Sequence, residues 1–115
     1  MSKIIDLTYL NEISGGDSSF IKEMLELYVN TTATEGALFD GLVQNNDLDG
    51  INHLAHKMKA PIQMLGASDL FNTIKMLELY GKEKIHVEEI PAMVQKIQEQ
   101  IELSIIEIRG IIAGL

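Results

Sequence analysis

The residues of this sequence that could do chemistry are few, and the clearest group lies between positions 53 and 63. His53, His56, Lys59 and Gln63 follow one another at spacings of three and four, which places neighbours in the series on adjacent turns of a helix. An exposed imidazole is largely neutral near pH 7 and is therefore nucleophilic. Lys59 could neutralise part of the charge of a phosphoryl group held on His56, and Gln63 could donate a further hydrogen bond. These surroundings suit a histidine that accepts a phosphoryl group.

Other interpretations of the same residues stay open at the level of spacing. An ordinary solvated helix face would show the same residues at the same spacing, because no base or oxyanion arrangement accompanies His56. If His56 is reactive, the catalytic machinery has to come from a partner. Asp49, His53 and His56 could approach a divalent cation, but three weakly organised ligands make a poor site. We therefore expect no metal site and no bound cofactor. His86 and Glu78 are expected to be surface groups.

Composition excludes several classes of function. Cysteine is absent, which rules out disulfides, thiolate metal sites and thiol nucleophiles. Seventeen acidic residues face nine basic ones, a net charge of −8, so nucleic acid is an unsuitable partner. No apolar run approaches the roughly 20 residues that span a bilayer, and the N-terminus does not resemble a signal peptide. We expect one domain over residues 1–115, cytoplasmic and without a membrane partner.

Apolar periodicity predicts five helices joined by short connections. A short first helix ends at Gly15-Gly16, and Asp17 caps a second helix over 18–44. Asp47 caps a third, which ends at Gly66. A fourth closes at residue 81, and the last begins near residue 88, with a proline in its first turn. The stripes assigned to the second and the last helix are, respectively, Phe20, Met24, Leu27, Tyr28, Thr31, Leu38, Phe39 and Leu42, and Ile90, Val94, Ile97, Ile101, Ile105, Ile108 and Ile112.

This pattern predicts an all-α fold, an up-down four-helix bundle with an additional short N-terminal helix. On the third helix, His56 lies about 140° from the centre of the apolar stripe and should face solvent. Ala60, one turn further, leaves the ring open to a large partner. Met64 projects off the stripe, so it is either covered by a neighbouring element or part of a docking patch.

The stretch "LAHKMKAPIQMLGASDL" resembles the active-site helix of histidine-containing phosphotransfer (HPt) domains, whose pattern is roughly A-H-x-L-K-G-s-x-x-x-x-G-a-x-x-L. The residues in register are Ala55, His56, Lys59, Gly66, Ala67 and Leu70. The similarity covers most of residues 5–81, including Leu77-Glu78 at the family's usual Leu-Glu; the last helix matches only in length and amphipathicity. Ala60 stands where glycine is usual, and Pro61 follows it. Pro61 cannot donate to the carbonyl of Lys57, so we expect a kinked helix rather than a terminated one.

The resemblance implies a histidine phosphocarrier without an ATP site of its own. His56 would accept a phosphoryl group on Nε2 from the aspartyl phosphate of a response-regulator receiver domain, including one within a hybrid histidine kinase, and would pass it to a second receiver. Mg²⁺ and the acidic residues that hold it would belong to the receiver. Asn52, His53, Ala60 and Met64 would surround the docking site.

We also expect a monomer and a free-standing module. The alternative is a helical-bundle adaptor that binds a receiver or another signalling protein without accepting phosphate.

Overall fold

The computed structural model describes residues 4–115, and this range forms five α-helices. The elements are α1 (Thr8–Ser14), α2 (Ser18–Gln44), α3 (Leu48–Met64), α4 (Ser68–Glu83), a 3₁₀ turn (Val87–Glu89) and α5 (Ile90–Ala113), and this range contains no strand. The four long helices pack in a closed series, α2 on α3, α3 on α4, α4 on α5 and α5 on α2, while α1 packs on α2. No helix in the described range is long and apolar enough to cross a membrane.

Most helix ends lie where the capping residues predicted them. Asp17 and Asp47 accept backbone N–H groups from the first turns of α2 and α3. Gly15 caps the C-terminus of α1, and Gly66 lies in the connection that follows α3. Both adopt the left-handed conformation, with φ of 63° and 65°, which glycine adopts without steric cost. These caps confirm the predicted bounds of α2 and the end of α3. Short connections follow from them, and they set neighbouring long helices antiparallel.

Gly81 corrects the predicted end of the fourth helix. The helix continues to Glu83, and Lys84 is the residue that adopts the left-handed conformation. Gly81 is buried inside α4, where a Cβ atom would lie 2.9 Å from the carbonyl oxygen of Leu48 and 3.1 Å from the backbone nitrogen of Asn52. The glycine therefore permits a close approach of α3 and α4 instead of ending a helix.

The core-facing residues of α2 differ from the predicted stripe. Leu27, Thr31 and Leu38 are exposed, and that part of the prediction is wrong. The buried positions of α2 are Ile21, Leu25, Tyr28, Thr32, Gly36 and Phe39. The prediction missed this row because it looked for large apolar side chains, and the row contains a threonine and a glycine in its middle. Gly36 faces α5, where its missing side chain leaves room for Ile101.

The third helix keeps its apolar face buried through the proline. Pro61 lies inside α3, which continues to Met64, so the helix is not terminated. Met58, Ile62 and Leu65 are buried on the face opposite the polar residues. Because the core contacts resume beyond Pro61, packing compensates for the backbone hydrogen bond that the proline removes. The predicted kink remains a prediction.

Candidate phosphoryl-acceptor site on α3

The ring of His56 lies on the outer surface of α3, as predicted. Its side chain is 71% exposed, while the next residue towards the N-terminus, Ala55, is fully buried. This contrast follows from the helical repeat, since adjacent residues point about 100° apart. Exposure leaves the ring accessible to a large partner.

Glu78 of α4 contacts His56, although the sequence predicted only a surface charge at this position. Its Oε2 atom lies 2.5 Å from Nδ1 of His56, and its Oε1 atom lies 2.7 Å from Nζ of Lys59. The Glu78 side chain is only 17% exposed, so it is held between the two partners and is not free in solvent. One carboxylate thus joins the two residues that the sequence had singled out separately.

The charge of Glu78 fixes the hydrogen-bonding pattern of the ring. Burial raises the pKa of the Glu78 carboxyl, but hydrogen bonds from Lys59 and His56 and their positive charges outweigh it, and the net pKa lies below its ordinary value. The group is therefore a carboxylate at neutral pH, and a carboxylate can only accept. His56 must donate through Nδ1–H, which leaves the lone pair of the neutral ring on Nε2.

Asn52 and Gly81 connect α3 to α4 one turn from this pair. The side-chain amide of Asn52 donates from Nδ2 to the main-chain oxygen of Glu78, at 2.8 Å. Asn52 was expected to border a docking site; it is half-buried and its amide is turned towards α4. Together with the close backbone contact at Gly81, it fixes the position of the helix that carries Glu78.

The other predicted site residues lie on the turns of α3 before and after His56. His53, Ala60 and Gln63 are exposed, and among residues 4–115 no hydrogen bond joins Gln63 to His56. The hydrogen bond that Gln63 was expected to donate to a phosphoryl group on His56 stays a prediction. Gly66 has the structural role expected of it, at the connection that reverses the chain between α3 and α4.

A shallow apolar groove runs between α2 and α3 beside the site. It has a volume of about 380 Å³, and an ion pair joins Lys57 of α3 to Glu35 of α2 at 3.1 Å along it. Met64 is half-buried and packs against the core while also lining the groove, and its role in a docking patch stays a prediction. The apolar residues that line the groove are Met24, Leu27, Ala60, Pro61, Met64 and Leu65.

The suggested cation ligands on α3 do not form a cluster. Within the described range, the only group of three histidine or carboxylate side chains close enough to share an ion is His86, Glu88 and Glu89, far along the chain from Asp49, His53 and His56. All three members of that group are exposed, and His86 already contacts Glu89 through Nδ1 at 3.0 Å. Neither arrangement resembles a built metal centre.

Glu78 is the residue whose contact with His56 sequence reasoning missed: it matched the family's Leu-Glu but was expected to be only a surface group. It lies 22 positions from His56, and no motif spacing connects the two. A signal was nevertheless present: in an antiparallel pair of helices joined at Gly66, residues at similar distances before and after the connection lie side by side. No protein-family model, curated protein or solved structure matches the chain.

Proposed function

We propose that this protein is a histidine phosphocarrier of a two-component phosphorelay, built as an up-down four-helix bundle with α1 as an additional short helix. His56 accepts a phosphoryl group from the aspartyl phosphate of one receiver domain and passes it to the aspartate of another. The observation that carries the proposal is the hydrogen bond from Nδ1–H of His56 to Glu78. It leaves Nε2, on a ring 71% exposed, as the nucleophilic nitrogen available to a partner.

The transfer balances without a proton acceptor in this chain. The Nε2 lone pair attacks phosphorus, the bond between phosphorus and the aspartyl oxygen breaks, and the receiver's carboxylate leaves with that electron pair. The imidazole then carries a positive charge and keeps its hydrogen on Nδ1. Glu78, hydrogen-bonded to that nitrogen, stabilises the charge as it develops. The second transfer reverses these steps onto a different carboxylate.

Lys59 contributes charge rather than a bond to the histidine. Its Nζ atom already pairs with Glu78, and it lies one turn along α3 from His56, which brings it within reach of phosphoryl oxygens. Lys59 therefore offsets part of the phosphoryl charge, while Mg²⁺ and the acidic residues of the transition state belong to the receiver.

The groove between α2 and α3 supports a receiver as the partner. An apolar depression next to an exposed nucleophile offers a docking surface that a large protein can cover, and the small side chain of Ala60 leaves the approach to the ring open. The same groove equally favours the alternative function, an adaptor that binds a receiver without accepting phosphate. Binding alone therefore cannot separate the two functions, and phosphoryl transfer can.

The experiment is a transfer assay with purified receiver domains labelled by [³²P]acetyl phosphate. We expect acid-labile label on the wild-type chain and on His53→Gln, which removes the neighbouring exposed imidazole. His56→Gln should take up no label and should lose little thermal stability, because the position is largely exposed and the glutamine amide can still donate a hydrogen bond to Glu78. Label on His56→Gln at the wild-type level would place the acceptor elsewhere. Stable receiver binding to a wild-type chain that never takes up label would identify an adaptor.

A further inference from the structure

The contact between α3 and α4 does more than hold two helices together. Asn52 lies one turn before His56 on α3, and its amide donates to the main-chain oxygen of Glu78, the residue whose side chain receives the Nδ1 hydrogen of His56. A single residue on α3 thus contacts the backbone of the group that orients the reactive ring.

Gly81 brings the helices close enough for this contact. Its missing side chain lets α4 approach the backbone of Leu48 and Asn52, since a Cβ atom there would lie 2.9 Å and 3.1 Å from their backbone atoms. Gly81 is one turn beyond Glu78 on α4. The close approach and the amide hydrogen bond therefore act on the same turn of each helix, next to the His56–Glu78 pair.

We propose that Asn52 is a positioning residue that sets the ring tautomer of His56 through Glu78. By fixing the axial position of α4 relative to α3, Asn52 holds the Glu78 carboxylate at the Nδ1 edge of the ring. The hydrogen of the neutral imidazole then stays on Nδ1, and the lone pair stays on Nε2. The effect of Asn52 on phosphoryl transfer rests on the proposed function, whereas the tautomer of His56 can be measured in this protein alone.

Without this contact the ring would sample both tautomers. A displacement of about 1 Å is enough to break a hydrogen bond of ordinary geometry. A ring released from Glu78 would carry its hydrogen on Nε2 part of the time, and in that tautomer Nε2 has no lone pair for phosphorus. The fraction of reactive ring, and with it the transfer rate, would fall even though His56, Lys59 and Glu78 are all present.

The test compares five variants with wild type by ¹⁵N NMR of histidine-labelled protein at about pH 8.5, where imidazoles are neutral. Asn52→Asp keeps the shape of the side chain and removes the donor, and Asn52→Ala removes both. Asn30→Ala, at an exposed position of α2, controls for loss of an asparagine. Ile74→Val, in the buried face of α4, controls for lost stability.

We expect the ring nitrogens of His56 to report mainly Nδ1–H in wild type and in both controls, and a mixture of tautomers in Asn52→Asp and Asn52→Ala. Asn52→Gln, which restores a donor, should recover part of the wild-type signature. Receiver-dependent labelling should fall about 3- to 10-fold in the two donor-less variants, the loss expected for one neutral hydrogen bond.

Unchanged ring shifts in folded Asn52→Asp would overturn the inference and leave the proposed function standing. A shift of the same size in Ile74→Val would also overturn it, because general loosening would then explain the effect. If the tautomer responds as expected but no receiver labels the wild-type chain, the positioning role holds and the proposed function fails. Should Asn52→Ala not fold, the isosteric Asn52→Asp alone decides.

Discussion

Glu78 changes what His56 can do. An exposed histidine without a partner carries its hydrogen on either nitrogen, and spacing alone could not distinguish it from a solvated helix face. Pairing with a carboxylate assigns the hydrogen to Nδ1 and the lone pair to Nε2. The orienting group that a nucleophile normally requires is therefore present, but it comes from another helix.

Replacing Glu78 by glutamine should reduce transfer while the acceptor remains. The amide keeps the shape but loses the charge that stabilises the phosphorylated ring, and it can also donate to Nδ1 and so favour the wrong tautomer. We expect transfer to fall about tenfold, near the lower range for hydrogen bonds to charged groups, since the ring is largely exposed. Single-turnover labelling with a phosphorylated receiver measures the change. A rate equal to wild type would mean that Glu78 is only a structural contact.

The same variant should alter how stability depends on pH. The folded-state pKa of Glu78 lies below its ordinary value of 4.5 because Lys59 and His56 stabilise the carboxylate. The ionised carboxylate therefore stabilises the fold above the unfolded-state pKa, and this contribution is lost as the pH falls through the folded-state pKa. Glu78→Gln should remove that component of acid sensitivity. Urea unfolding at a series of pH values between 7 and 3 would detect it as a smaller decrease in stability on acidification.

Lys59 should matter through its charge. Lys59→Ala should slow transfer or shorten the lifetime of phospho-His56 modestly, because an ion pair at a solvated site is worth about 0–1 kcal/mol, and Lys59→Arg should retain more function. The variant should also raise the pKa of Glu78, which loses a hydrogen-bonding cation. Transfer rates, phosphohistidine lifetimes and a ¹³C carboxyl titration measure these effects. Rates and lifetimes that match wild type at low salt would assign Lys59 to the solvated face.

At the scale of the helices, sequence reasoning succeeded where local chemistry decides. The caps Asp17 and Asp47 and the left-handed Gly66 are local signals, and they located the start of α2, the start of α3 and the end of α3. Sequence reasoning failed where packing between helices decides which residues are buried. Gly81 was expected to end a helix and Gly36 was absent from the predicted stripe of α2, yet both are buried at close contacts with a neighbouring helix.

Two glycine substitutions test this difference. Gly81→Ala should destabilise the protein by about 1–3 kcal/mol, the usual cost of forcing extra atoms into a packed contact, because its Cβ atom would approach the backbone of Leu48 and Asn52. Gly41→Ala, in the exposed face of α2 with nothing within 4 Å of the added Cβ atom, should stabilise it by up to about 1 kcal/mol. Urea denaturation measures both, and a stabilised Gly81→Ala would contradict the close approach of α3 and α4.

At the scale of the whole molecule, the site has two parts of different origin. His56, the proposed nucleophile, and its partner Glu78 lie between α3 and α4, whereas the apolar groove lies between α2 and α3. The family resemblance placed Ala60 and Met64 at an expected docking site, whereas apolar periodicity assigned Leu27 to the core. Leu27 is 52% exposed and lines the groove. Its exposure depends on how α2 is rotated about its axis against the neighbouring helices, which the sequence of α2 alone does not specify.

Leu27 should therefore contribute to partner docking and not to the chemistry. Leu27→Ser should lower the labelling rate about 10-fold at limiting receiver concentration, through weaker association, with little change at saturation. Leu103→Ser is the matched control, a leucine 51% exposed on α5 away from the groove, and it should behave as wild type. Titration of labelling rate against receiver concentration separates the two variants. Equal behaviour of both would remove the groove from the docking surface.

The central claim is that Nε2 of His56 accepts the phosphoryl group while Nδ1 stays bonded to Glu78. The most direct test is ¹⁵N–³¹P correlation NMR on histidine-labelled protein phosphorylated by a receiver. The account predicts a single phosphorus coupled to Nε2 of His56, with a hydrogen retained on Nδ1. A phosphorus coupled to Nδ1 of His56, or to a nitrogen of His53 or His86, would contradict it.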